Sequence, residues 1–218
     1  MFLMKTKDKI IEAAKRLYNE KGLSNVTSRN IAAHIKISHG NLEYHFPNKE
    51  ALLLAIYDKM RSEVSGFYEG QDQDITNPIE HLHKILIRLE EFQGKYMFFN
   101  LDVLEISRSY TKVNQLLEDT LQIRKFQMEA IFNRFIESKY MEVEFTKGYY
   151  QRLQHTIRIL ITFWKPQEAV LSYFDFNQKG EMVKHVWELL LPHFTDEGKA
   201  QYKSVTNSLG TNDLIPAK

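Results

Sequence analysis

The chain has 218 residues, 43% of them hydrophobic, a formal net charge of +1 and no cysteine. That length allows one or two domains with a real core, and the missing thiols exclude a disulfide framework, cysteine catalysis and a thiolate metal site. No apolar run approaches the roughly 18 residues of a membrane span, and the four apolar residues ahead of the first lysines are too few for a secretory signal, so a soluble, cytoplasmic protein is expected.

From Lys7 to Lys21, Ile10, Ile11, Ala14, Leu17 and Tyr18 recur at helical spacing and predict one buried stripe. Gly22 suits the left-handed residue that closes a helix. Thr27 then caps a second helix through Ile31, Ala32 and Ile35, with Asn30 in the capping-box position. Lys36 and Ile37 form a tight connection to Ser38, the cap of a third, short helix that Pro47 stops. In that helix Leu42 and Phe46 lie four apart on one face, whereas His39, Asn41, Glu43, Tyr44 and His45 present polar-ended side chains outward. Two short helices about three residues apart make a helix-turn-helix pattern, whose second helix enters the DNA major groove. An ordinary three-helix subdomain has the same spacing and is the alternative.

Asn48 caps a fourth helix with Leu52, Ala55, Ile56 and Met60 on its stripe, ending between Gly66 and Gly70 before a polar loop at 71–74. Pro78 opens a helix that runs through Phe92 and breaks at Gly94. A short apolar helix is predicted from Tyr96 to Ile106, and a long one carries Val113, Leu116, Leu117, Leu121, Met128, Ile131, Phe132, Phe135 and Ile136. The last two helices are apolar on more than one face. Leu153, Ile157, Leu160, Ile161 and Trp164 form the stripe of the first, with Ile159 and Phe163 off it. Val183, Val186, Trp187, Leu190 and Phe194 form that of the second. The preferred reading is a homodimer whose interface uses Leu153, Ile157, Leu160, Ile161, Trp164, Val183, Val186, Trp187 and Leu190 in a four-helix bundle; burial of both helices inside one chain is the alternative. The expected fold is therefore all-α, with a reading domain over 1–48, a connecting helix over 49–68, a helical body over 69–208 and a frayed tail over 209–218.

Charge is divided to match. Residues 1–66 hold 11 Lys and Arg against 7 Asp and Glu, and the other 152 hold 18 against 21. A basic head on a near-neutral body suits a nucleic-acid reader.

The stretch from Ile10 to Leu54 resembles the TetR family of bacterial transcriptional regulators. The likeness rests on Lys21-Gly22, the Thr27-capped helix with Ile31-Ala32, Ile37-Ser38-His39-Gly40-Asn41-Leu42, Tyr44-His45-Phe46 and Asn48-Lys49-Glu50. It implies an all-α dimer that binds double-stranded operator DNA with its N-terminal domain and senses a small molecule with the rest. Thr27, Arg29 and Ser38 are expected at the DNA, the two hydroxyls at helix N-termini where phosphate oxygens bind. Gly40 would allow close approach, His39 and Asn41 would face the groove, Tyr44 and His45 would grip phosphates, and Lys49 would add charge beside the backbone. Glu43 departs from the family's usual tyrosine. It could read a cytosine, mark a shifted docking register, or pair with Lys36 or Arg29 and never touch DNA.

Of 27 aromatic residues, 22 lie beyond residue 66. Phe92, Tyr96, Phe99, Phe126, Phe163 and Trp164 are candidates to line an effector pocket, with Asp102 and Arg158 as charges to fix a polar ligand group. Core packing is the competing reading for each aromatic, and reaching outward to water or pairing within the fold is that for each of the two charges. An enzyme is not expected: the chain has no phosphate-binding glycine loop, no Gly-x-Ser-x-Gly elbow and no His-Glu-x-x-His, and His81 and His83, two apart, point to different faces. No cofactor and no metal are expected. The predicted function is a ligand-responsive regulator, a repressor by the family's habit, with an activator or an all-α interaction module as alternatives.

Overall fold

A computed structural model describes residues 5–69, 76–171 and 173–209. Among these residues the fold is all helical, with one isolated bridge between Met141 and Phe194. The helices are α1 (Thr6–Lys21), α2 (Ser28–His34), α3 (His39–His45), α4 (Lys49–Glu69), α5 (Pro78–Lys95), α6 (Met97–Leu101), α7 (Val103–Ser109), α8 (Thr111–Glu137), α9 (Tyr149–Val170), α10 (Glu181–Leu190) and α11 (Asp196–Ser208). The expected polar loop at 71–74 and the tail from 210 lie outside the described residues. No described helix is long and apolar enough to cross a membrane.

Three elements differ from expectation. Gly94 does not break α5, which continues to Lys95; one exposed glycine costs a helix about 1 kcal/mol and need not end it. The apolar run from Tyr96 is two helices, because the chain bends at Asp102. The polar segment after Phe194 forms α11, capped by Thr195 and burying Gly198, Tyr202, Val205 and Thr206. At Gly198 an added Cβ would overlap the Tyr140 carbonyl, so only glycine lets the first turn of α11 pack on that backbone.

The chain packs as two compact units. The first joins residues up to 64 with 93–120, and the second joins 65–92 with everything from 121. The first unit therefore includes α6, α7 and the start of α8, which the sequence assigns to the body.

In the first unit, α1 buries Ile10, Ile11, Ala13, Ala14, Leu17 and Tyr18. Tyr18 packs on Phe98 at 5.3 Å between ring centroids, and Tyr57 stacks on Phe99 at 5.2 Å. The Asn19 amide ties both ends of the α5–α6 junction, donating to the Lys95 carbonyl at 3.0 Å and accepting from the Phe98 N–H at 2.9 Å. Gly22 has φ +77° with ψ 156°, positive as expected but extended rather than left-handed helical. Just beyond it, the Asp102 carboxylate accepts from the Leu23 N–H at 2.9 Å and the Ser24 hydroxyl donates to Glu105 at 2.6 Å.

The second unit is built round Trp187, whose indole N–H donates to His83 Nδ1 at 3.0 Å and whose ring lies 4.7 Å from that of Tyr202. Ile79, Leu82, Ile85, Leu86, Ile131, Phe132, Phe135 and Ile157 pack in the same core. Glu90 accepts from the Gly180 N–H at 2.8 Å, just ahead of α10, and satisfies a helix-start donor that no local cap serves.

Candidate nucleic-acid interface

Two local caps set the reading helices. Thr27 and Asn30 exchange hydrogen bonds in a full capping box at the start of α2, with Asn30 N–H to Thr27 Oγ1 at 3.2 Å and Thr27 N–H to Asn30 Oδ1 at 2.9 Å. The turn follows, with Lys36 at φ +57° and the Ile37 N–H donating to the Ala32 carbonyl at 3.0 Å. Ser38 then accepts from the Asn41 N–H at 3.1 Å and opens α3. Leu42 and Phe46 are buried and hold the inner side of α3 against its neighbours.

The outer side faces water. Asn41 is exposed, the Glu43 side chain is 52% exposed and Tyr44 is 86% exposed. Tyr44 meets the His45 ring edge-on, 5.3 Å away between centroids. A tyrosine left in water on a helix anchored by two core residues is positioned to contact a partner. Gly40 is exposed too, with nothing within 4 Å of an added Cβ. Arg29 is exposed at the start of α2.

The expected DNA residues do not all behave alike. Thr27 and Ser38 are exposed, but their hydroxyls already serve the caps. Lys49 is a correction. Its ammonium donates to the Leu23 carbonyl and lies 5.6 Å over the Tyr18 ring, and burial lowers its affinity for a proton. A cation held that way braces the α1–α2 connection and is not free for a phosphate. His39 is half-buried, with Nε2 3.0 Å from Ser28 Oγ and 3.6 Å from Glu43 Oε1. The partner of Glu43 is thus His39, neither Lys36 nor Arg29. Ser28 has no place in the sequence reading, because its contact to the α3 ring depends on how α2 and α3 pack.

The eight effector candidates divide between the two units. Tyr96, Phe99 and Asp102 belong to the first unit, where Tyr96 donates to Glu63 at 3.1 Å and Asp102 holds Leu23. Burial raises the Asp102 carboxyl above its ordinary pKa, partly offset by the Leu23 N–H. In the second unit, Phe92 meets Phe67 edge-on at 6.2 Å, and Trp164 is buried against Phe174 and His185. Arg158 lies 2.6 Å from His155 Nδ1, while Phe126 and Phe163 are exposed. Tyr202, which the sequence reading passes over, has a buried hydroxyl with no hydrogen-bond partner.

The expected interface residues also divide. Ile157, Trp164, Val183, Val186, Trp187 and Leu190 are buried within this chain, so they cannot face a second copy; Leu153, Leu160 and Ile161 are half-buried. The water-facing apolar residues of α9 are Ile159, Phe163 and Val170, 48%, 44% and 79% exposed.

The chain is similar to known proteins over both parts of its sequence. The model for bacterial regulatory proteins of the tetR family matches residues 10–56, and the TetR bacterial transcriptional repressor model matches residues 59–202. The probable HTH-type transcriptional regulator YttP of Bacillus subtilis (strain 168) is 27% identical over 139 residues, 64% of this chain and 59% of YttP, so the chain spans less than two thirds of that relative. The negative regulator of the biofilm operon icaADBC, IcaR, of Staphylococcus aureus is 24% identical over 162 residues, 66% of this chain and 87% of IcaR. A TetR-family regulator from Marinobacter aquaeolei VT8 superposes with a TM-score of 0.83 at 24% identity, over 94% of this chain and 98% of that one. With a reading head built on α2 and α3 and family models matched over both parts of the sequence, the chain belongs to the TetR family of bacterial transcriptional regulators.

Proposed function

We propose that the chain is a homodimeric repressor that places two copies of α3 in successive major grooves of a near-palindromic operator and lets go when a small molecule binds the second unit. The observation that carries the DNA half is the outer face of α3, where Asn41, Glu43 and Tyr44 stand in water on a helix anchored by Leu42 and Phe46. Recognition helices in such a dimer lie about 34–36 Å apart, or a multiple of one turn. Asn41 can make paired hydrogen bonds to adenine, Arg29 and His45 supply donors toward phosphates, and Tyr44 adds a hydroxyl.

Two features support the rest. The exposed α9 residues Ile159, Phe163 and Val170 share one face and offer a self-complementary apolar stripe of the kind a two-fold dimer buries. Helices α4, α5 and α8 each begin in one unit and end in the other, so a ligand that changes the second unit has continuous helices through which to bias the first. Ligand binding would move the recognition helices off the operator spacing.

The test is binding to duplexes from the region upstream of the chain's own gene, followed by fluorescence anisotropy over a range of salt. Binding should be sequence-dependent, should weaken steeply with salt, and should lose part of its sequence preference in the combined His39→Ala, Asn41→Ala variant. Preference left unchanged by that double substitution would remove His39 and Asn41 from the reading face.

A further inference from the structure

We propose that Glu43 reads the amino group of a cytosine in each half-site and that His39 is the residue that positions it. The inference rests on the DNA-binding reading and deepens it.

Three observations converge. The Glu43 side chain is half in water on α3, a helix on which Asn41 and Tyr44 are exposed too. No lysine or arginine among the described residues pairs with it; its near neighbour is the His39 ring, whose Nε2 lies 3.6 Å from the carboxylate, one turn earlier on the same helix. That ring is itself tied to α2, since Ser28 Oγ lies 3.0 Å from the same Nε2. The carboxylate therefore stands beside a ring whose place is fixed from the neighbouring helix. A surface glutamate that served only solubility would need no such support.

The chemistry of the groove selects the base. A carboxylate only accepts, so it cannot bind a phosphate and must find a donor. The major groove offers two, cytosine N4 and adenine N6. Adenine N6 is flanked on both sides by acceptors, its own N7 and the thymine O4, and a second carboxylate oxygen is repelled by either. Cytosine N4 has an acceptor on one side, guanine O6, and a C–H edge on the other. A carboxylate approaching from that open side meets one donor and no lone pair. Cytosine is the base that fits.

The decisive experiment is selection of bound sequences from a randomised duplex pool by the purified full chain, run in parallel for wild type, Glu43→Gln, Glu43→Ala and His39→Ala. The wild type should enrich cytosine at one fixed position of each half-site. Glu43→Gln should transfer that preference to adenine, whose N6 and N7 suit an amide. Glu43→Ala should erase it, and His39→Ala should weaken it, while other positions stay unchanged. The expected size is about a tenfold loss of discrimination in the dissociation constant at that position. A duplex carrying 2-pyrimidinone there, which lacks the amino group, should weaken the wild type by the same factor and leave Glu43→Ala unaffected. Sites that are identical for all four proteins would overturn the assignment and leave the regulator reading intact. A wild type that enriches no sequence would overturn both.

Discussion

Leu23 is held at both of its backbone groups, its N–H by Asp102 and its carbonyl by Lys49, and its side chain is fully buried. Removing the acceptor strands a donor away from water, which costs about 1–3 kcal/mol. Asp102→Ala should lower stability by that order in chemical denaturation, whereas Asp102→Asn, which retains a carbonyl oxygen, should lower it less. Equal losses for the two would show that the carboxylate matters for another reason. Lys49→Met tests the other half of the clamp. It should lower the melting temperature yet leave the slope of log affinity against log salt unchanged, while Arg29→Ala should reduce that slope by about one. His83 sets an acid limit in the second unit. Burial pushes its pKa from the ordinary 6.5 to about 4, so the folded chain keeps it neutral as the acceptor of Trp187. An unfolded chain takes up the proton first as pH falls through about 6.5. The contribution is whole above that pH and is lost progressively toward about 4, amounting to roughly 2–3 kcal/mol. Stability measured by urea titration should fall over that window, and His83→Gln should flatten the fall.

At the scale of elements, what was legible in the sequence was what is local. Thr27 with Asn30 and Ser38 with the Asn41 N–H are caps three residues long, and the Leu42–Phe46 pair is one turn, so residue types alone placed α2 and α3. Asp102 was not legible. A charge in an apolar run suggested a ligand contact, a side chain reaching for water or a pairing within the fold; the last is found, but its partner, Leu23, lies 79 residues earlier and could not be named. The two faces of α9 were confused for a related reason. Leu153, Ile157, Leu160 and Trp164 interleave with Ile159, Phe163 and Val170, and composition cannot say which stripe meets α10. Packing decided it: Ile157 and Trp164 are in the core, while the other stripe is open. That choice has a measurable outcome. Phe163→Glu combined with Ile159→Lys should convert a dimer to a monomer in analytical ultracentrifugation with little change in helix content. A dimer that persists through both substitutions would move the interface elsewhere.

Across the whole molecule, the first unit is discontinuous. Residues up to 64 are completed by 93–120, through Asn19 to Lys95 and Phe98, Ser24 to Glu105, and the Lys112 N–H to Glu50 at 3.1 Å. A fragment ending at residue 64 would lose all of these together with the Phe98 and Phe99 rings, and should melt well below the full chain or show no cooperative transition in circular dichroism. The same feature bears on how the protein is born. Chains emerge from the ribosome N-terminus first, and domains tend to fold as units as they appear. Here α2 and α3 emerge early but lack the bond for Leu23 until Asp102 has followed them out. The first unit of a nascent chain thus stays incomplete until residues 93–120 have been synthesised.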